Sequence, residues 1–189
     1  MVDNLSPWNV NGVSLTGFSH LGEDIPCQDA HAFNVAQNGT LIAAIADGAG
    51  SARFSHIGAQ AFTDAVVAGI SSLPLANTFE TEIYASKIKD CVNATKEQLV
   101  RHGEKLTDAE MPVIRDFHAT LLVVVSDGRD GAFFHVGDGA AFSYTHGLRD
   151  CEITITRPHN GEYSNETYFV TEDDWEDNLR ITPFNGKHD

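Results

Sequence analysis

The stretch at residues 41–51, LIAAIADGAGS, constrains the chain more than any other. Its first six residues, Leu41-Ile42-Ala43-Ala44-Ile45-Ala46, form an unbroken apolar run, the pattern of a strand buried on both faces. The run stops on Asp47-Gly48-Ala49-Gly50, and a helical pattern begins just after Ser51. A carboxylate at the tip of a buried strand loses hydration, which is costly without a partner. The glycines let the backbone turn tightly enough to bring main-chain oxygens beside it. Two readings fit. In one, Asp47 caps the N–H groups of a strand-to-helix turn. In the other, Asp47 and the carbonyl of Gly48 offer hard oxygens to a cation, a donor set that suits Mg2+ or Mn2+ better than a soft metal.

A second carboxylate bears on that choice. Asn38-Gly39 is a hairpin signal between a strand at residues 30–36 and the central run. Asp29 lies nine residues before Asn38, and Asp47 lies eight after Gly39, so the two fall at the same open end as cross-strand neighbours. Two carboxylates side by side repel unless a proton or a cation sits between them. His135-Val136-Gly137-Asp138-Gly139 repeats the arrangement of an apolar strand running into an aspartate flanked by glycines. A hairpin turn is the competing reading for Asp138.

The rest of the chain supplies a framework. Residues 8–20 read as a short hairpin turning at Asn11-Gly12. Residues 51–73 read as a helix with Phe62, Val66, Ile70 and Leu73 on one face, ended by Pro74. A second helix, 78–102, carries a stripe of Phe79, Ile83, Ile88, Cys91, Val92, Thr95 and Leu99, with Cys91 as a small buried hydrophobe. Strands follow at 119–125, 132–136, 140–145 and 151–156, with further short ones expected at 167–171 and 180–184. Ser126-Asp127-Gly128 is turn chemistry between two of them. Strands joined by hairpins build antiparallel sheets, so the fold class is α+β rather than doubly wound α/β.

Composition removes several functions. The 189 residues suit a single domain, 1–189, and carry 27 acidic against 12 basic side chains for a formal charge of −15. With no basic patch, nucleic acid is not an expected partner. No apolar run approaches the ~18 residues of a membrane span, and the N-terminus lacks the features of a signal peptide. Three scattered cysteines, Cys27, Cys91 and Cys151, fit reduced thiols, so a cytoplasmic location is expected. Zinc spacings, nucleophile elbows and phosphate-binding loops of the Walker type do not occur.

Four blocks taken in order, Pro26-Cys27-Gln28-Asp29-Ala30, Ala46-Asp47-Gly48-Ala49-Gly50-Ser51, His118-Ala119-Thr120-Leu121 and Val136-Gly137-Asp138-Gly139, resemble the metal-dependent protein phosphatases of the PPM (type 2C) family. Gly17 and His20 ahead of the first block, and the stretch at 160–167, are similar to a bacterial branch of it. The resemblance implies a sandwich of two antiparallel sheets with helices on the outer faces, and two Mg2+ or Mn2+ ions where the sheets open. It implies that Asp47 bridges the metals, that the Gly48 carbonyl binds one, that Asp29 holds a metal-bound water, and that Asp138 lies by a third, weaker metal site. The implied activity is hydrolysis of phosphoserine and phosphothreonine on a protein substrate, within a Ser/Thr kinase pathway, with Asp29 and Asp47 catalytic.

Two departures from the family pattern stand out. Where many relatives place a phosphate-binding arginine, this chain has Asp24, and His20 or Arg53 is the expected substitute. The family also closes its site with two later aspartates, which would lie beyond Phe184. Ser126-Asp127-Gly128 comes too early in the order, and Asp177-Asn178 lacks the block that should precede it. On this reading the C-terminal part of the family domain is missing. Fewer carboxylates weaken metal affinity, so the alternative is a phosphatase-like module, weakly active or inactive, that binds a phosphoprotein or another protein.

Overall fold

The strands are β1 (Ala30–Val35), β2 (Leu41–Ala46), β3 (Leu121–Ser126), β4 (Asp130–Val136), β5 (Phe142–His146), β6 (Cys151–Ile155) and β7 (Arg180–Asn185). The helices are α1 (Ser55–Ser71) and α2 (Thr81–Thr107), with a 3-10 turn at Ile114–Phe117. The computed structural model describes residues 8–17, 25–74, 78–107, 112–146, 151–159 and 167–185. Five strands form one antiparallel sheet in the order β1-β2-β3-β4-β7, and β5 pairs with β6 in a second. The expected class, α+β with two antiparallel sheets, is the observed one.

The β1–β2 hairpin turns where Asn38-Gly39 places it. Gly39 adopts φ +85°, and its N–H donates to the Ala36 carbonyl at 2.9 Å. The register Ala30↔Ala46 then makes residues 29 and 47 the next pair at the open end. One face of the large sheet is dry. Ile42, Ala44 and Ala46 of β2, Val123 and Val125 of β3, and Ala132 and Phe134 of β4 pack into the core with Phe62, Val66 and Ile70 of α1 and Ile88, Val92 and Leu99 of α2. Each large aliphatic or aromatic side chain buried there contributes roughly 1.5–3 kcal/mol, so this layer anchors the sheet end that carries Asp47.

The opposite face corrects one expectation. The central strand is not buried on both sides: Ile45 is 49% exposed, and Leu41 and Ala43 are half-buried. Burying them requires a full second sheet, and among the described residues that sheet is the β5–β6 hairpin alone. Its Phe142 and Tyr144 face Val124, Phe133 and Phe184 across an inter-sheet cavity of about 480 Å3, away from Ile45. Both helices lie on the outer side of the large sheet, and among the described residues none covers β5–β6.

Other boundaries shift for local reasons. Residues 8–17 form no strand, so the hairpin expected at Asn11-Gly12 is absent from its described part. The segment is held instead by side chains: Trp8 Nε1 donates to the Gly39 carbonyl at 2.8 Å, and Ser14 hydrogen-bonds His31 at 2.9 Å. The strand expected at 167–171 is a single bridge at Thr167 followed by turns. There Val170 and Trp175 are buried, and Trp175 Nε1 donates to Asn93 on α2 at 3.2 Å. Among the described residues, no helix is long and apolar enough to cross a membrane.

Candidate active site

Three short segments are sewn together at the open end of the large sheet. The Asp47 N–H donates to Thr120 Oγ1 at 3.0 Å, and the Thr120 N–H donates to the Asp47 carbonyl at 2.9 Å. The Gly48 N–H donates to the Gln28 carbonyl at 3.2 Å, next to Asp29, and the Ala49 N–H donates to the His118 carbonyl at 3.0 Å. Two glycines make this closeness possible. A Cβ on Gly48 would sit 2.6 Å from the Gln28 oxygen and 2.8 Å from Ser55 Cβ. Gly137, at φ +113°, brings the Asp138 turn onto Thr120, where a Cβ would lie 2.5 Å from Thr120 Cγ2. Thr120 therefore ties the Asp138 turn to the Asp47 turn.

The electrostatics follow from that packing. The carboxyls of Asp29 and Asp47 are within hydrogen-bonding reach, and Asp47 is raised from 3.8 to about 6. Lost hydration is the largest cause, followed by the charge of Asp29 and the hydrogen bond to it, then the charge of Asp138. Asp138 itself is exposed and accepts a hydrogen bond from Thr167 Oγ1 at 3.3 Å. Asp29, Asp47 and Thr120 line a cavity of about 240 Å3, shared with His31, Leu122 and His135.

These groups match part of a divalent-cation site. Two apposed carboxylates at neutral pH present excess negative charge. Among the described residues, the Gly48 carbonyl takes part in none of the backbone hydrogen bonds that close the turn. Carboxylate and carbonyl oxygens are the donors that Mg2+ and Mn2+ prefer. Among the described residues, however, no group of three or more His, Cys, Asp or Glu side chains is arranged to hold a metal ion. The set therefore fits a cation as a partial ligand shell.

The other sequence candidates fall elsewhere. Arg53 is engaged by Asp116, its Nε donating at 2.8 Å and its Nη2 at 2.5 Å, and it does not line the cavity. The ion pair with the 3-10 turn takes up the fork that a phosphate would need. His20 and Asp24 lie outside the described residues. Asp127 accepts from the N–H groups of Arg129 and Asp130 at 2.8 Å each, which is the expected turn. It lies at the far end of β3 from Thr120, about 20 Å away at ~3.3 Å per residue. Cys27 donates to the Asp29 carbonyl at 3.6 Å. Two residues of the site escape sequence reasoning: Thr120 as the anchor of Asp47, and His135 as part of the cavity wall. Strand alternation alone gives no reason to read His135 as anything other than a core residue.

The two-sheet framework with its aspartate turn is the fold of bacterial serine/threonine phosphatases. It superposes on a bacterial serine phosphatase with a TM-score of 0.56 at 15% identity, over 84% of this chain and 67% of that one. The serine/threonine phosphatase Stp1 from Staphylococcus aureus gives 0.53 at 15% identity, over 83% of this chain and 64% of that one. Residues 16–189 match the family model described as Protein phosphatase 2C, and the chain belongs to that family. Serine/threonine-protein phosphatase 3 of Escherichia coli (strain K12) is 30% identical over an alignment of 173 residues that covers 88% of this chain. The chain spans 64% of the length of that curated relative.

Proposed function

We propose that this chain hydrolyses phosphoserine and phosphothreonine monoesters on protein substrates with the help of Mg2+ or Mn2+, held by Asp29, Asp47 and the Gly48 carbonyl. The observation that carries the reading is the apposition of Asp29 and Asp47 at a partly desolvated strand tip, where lost hydration first and the Asp29 charge second raise Asp47 to about 6. A proton or a cation must relieve that repulsion, and hard divalent ions match the donors. Bound there, the metals would supply an activated water and stabilise charge on the phosphoryl oxygens during in-line displacement. Thr120 fixes the Asp47 backbone, so the carboxylate stays aimed into the cavity. Asp29 would orient the attacking water and take its proton. Asp138, exposed beside Asp47, would serve a third, weaker metal site. A phosphoprotein substrate and a cognate Ser/Thr kinase in the cytoplasm complete the proposal, which includes neither nucleic acid nor membrane as a partner.

The test is turnover of a phosphothreonine peptide and of p-nitrophenyl phosphate with and without Mn2+, for the wild type and Asp47→Asn. Metal-stimulated turnover that drops at least a hundredfold in the variant is the expected result. A folded wild type with no turnover at any metal concentration would sink the catalytic reading and leave a phosphoprotein-binding module.

A further inference from the structure

The cavity beside the aspartate pair has a second wall that the metal reading does not use. In register across the large sheet, His31, Ile45, Leu122, His135 and Arg180 form one row on the face away from the helices. His135 lines the same cavity as Asp29 and Asp47, and its Nε2 lies 3.7 Å from the point a Cβ on Gly139 would occupy. It is only 2% exposed, yet neither ring nitrogen has a hydrogen-bond partner. Leaving a buried donor or acceptor unpaired is costly, and native structures keep few such groups. His159, just behind, has an Nδ1 that is also buried and unpaired.

The charges around these rings point to an anion. Burial is the largest influence on both imidazoles and lowers their pKa, with Arg180 next, and the fixed positive charge beside them is that of Arg180. Asp138 acts on His135 in the opposite direction. Among the described residues Arg180 has no ion-pair partner, whereas Arg53 is taken by Asp116 and Lys89 by Glu176. A chain of formal charge −15 repels dianions in general. Here the exposed Arg180, opposite His135 in the β4–β7 register, sets a guanidinium beside a buried, unpaired imidazole, and that imidazole lines the 240 Å3 cavity.

We propose that Arg180 and His135, backed by His159, form the phosphate-recognition subsite beside the aspartate pair, donating to oxygens of a phosphate dianion, whether monoester substrate or inorganic phosphate product. Its catalytic meaning rests on the phosphatase reading; its binding chemistry does not. A guanidinium hydrogen bond to phosphate is charge-assisted and among the stronger kinds. Losing it should weaken phosphate binding about tenfold or more.

The test titrates inorganic phosphate into the full chain in Mg2+, by calorimetry and by following the His135 ring resonances. It compares the wild type with Arg180→Gln and His135→Gln, and with Arg115→Gln as a distant control. The expected result is a Kd at least tenfold weaker in the first two variants, an unchanged Kd in the control, and movement of the His135 resonances in the wild type. If His135→Gln fails to fold, Arg180→Gln and the wild-type resonances decide the matter. Absence of phosphate binding by the wild type, an unchanged Kd in Arg180→Gln, or a still His135 ring would each overturn the subsite. Phosphate binding lost in Arg180→Gln without any metal-dependent turnover would refute the phosphatase reading alone. Asp47-dependent turnover, with KM and phosphate affinity untouched by Arg180→Gln, would refute the subsite alone.

Discussion

Replacing Asp47 by asparagine removes a charge that the fold disfavours, first by lost hydration and then by the nearby charges of Asp29 and Asp138. In the folded chain this carboxyl titrates at about 6, against 3.8 for an ordinary aspartate. A shift of roughly two units is worth about 3 kcal/mol at ~1.4 kcal/mol per unit. Asp47 is partly withdrawn from water yet still in contact with it, and screening reduces the figure to roughly 1 kcal/mol. The direction is set by the raised folded-state value. The contribution to stability is fully present below the unfolded value of 3.8 and is lost as pH rises through about 6. Asparagine keeps the shape and removes the charge. With a chelator present at about pH 7.5, Asp47→Asn should therefore be more stable than the wild type by about 1 kcal/mol, a gain of roughly 2–4 °C in Tm for a chain of this size. Below about pH 4 the two should coincide. Adding Mg2+ at the higher pH should reverse the order, because ligand binding stabilises only the protein that holds it. Thermal unfolding followed by circular dichroism at the two pH values, with and without metal, reads all of this. A variant no more stable than the wild type at the higher pH in chelator, or a difference that ignores pH, would refute the reading of Asp47 as a disfavoured charge.

Gly48→Ala places a Cβ 2.6 Å from the Gln28 carbonyl, between the two acidic segments. It should cost about 1–3 kcal/mol of stability and lower metal-stimulated turnover more than tenfold, as urea titration and a Mn2+-dependent assay will show. Arg53→Gln should change stability little, because Arg53 itself is exposed and screened by solvent. It should also leave phosphate affinity unchanged in the calorimetric titration; a tenfold loss there would return Arg53 to the site.

Much of the site was legible because it is local. Asp29 and Asp47 are related by one hairpin whose turn is written in Asn38-Gly39, and a count of residues is enough to set them opposite each other. The helix faces were legible for a similar reason: Phe62, Val66 and Ile70, and likewise Ile88, Val92 and Leu99, recur at helical spacing and are buried. Less legible were features that depend on what lies above a strand rather than along it. The run at residues 41–46 has the same letters whether one face or two are covered, and Ile45 is open because the β5–β6 hairpin sits over Val124 and Phe133 instead.

What the amino-acid order determines by itself is the pair of acidic strand tips, because a tight turn fixes register and register fixes neighbours. Only the tertiary structure decides which imidazole shares a cavity with those tips and where the arginines go. Arg53, six residues past Asp47, is drawn off to Asp116, while Arg180, more than a hundred residues further on, is brought opposite His135 by the pairing of β4 with β7. Long-range strand pairing is chosen by burial summed over whole faces, and no local pattern in the chain encodes that sum.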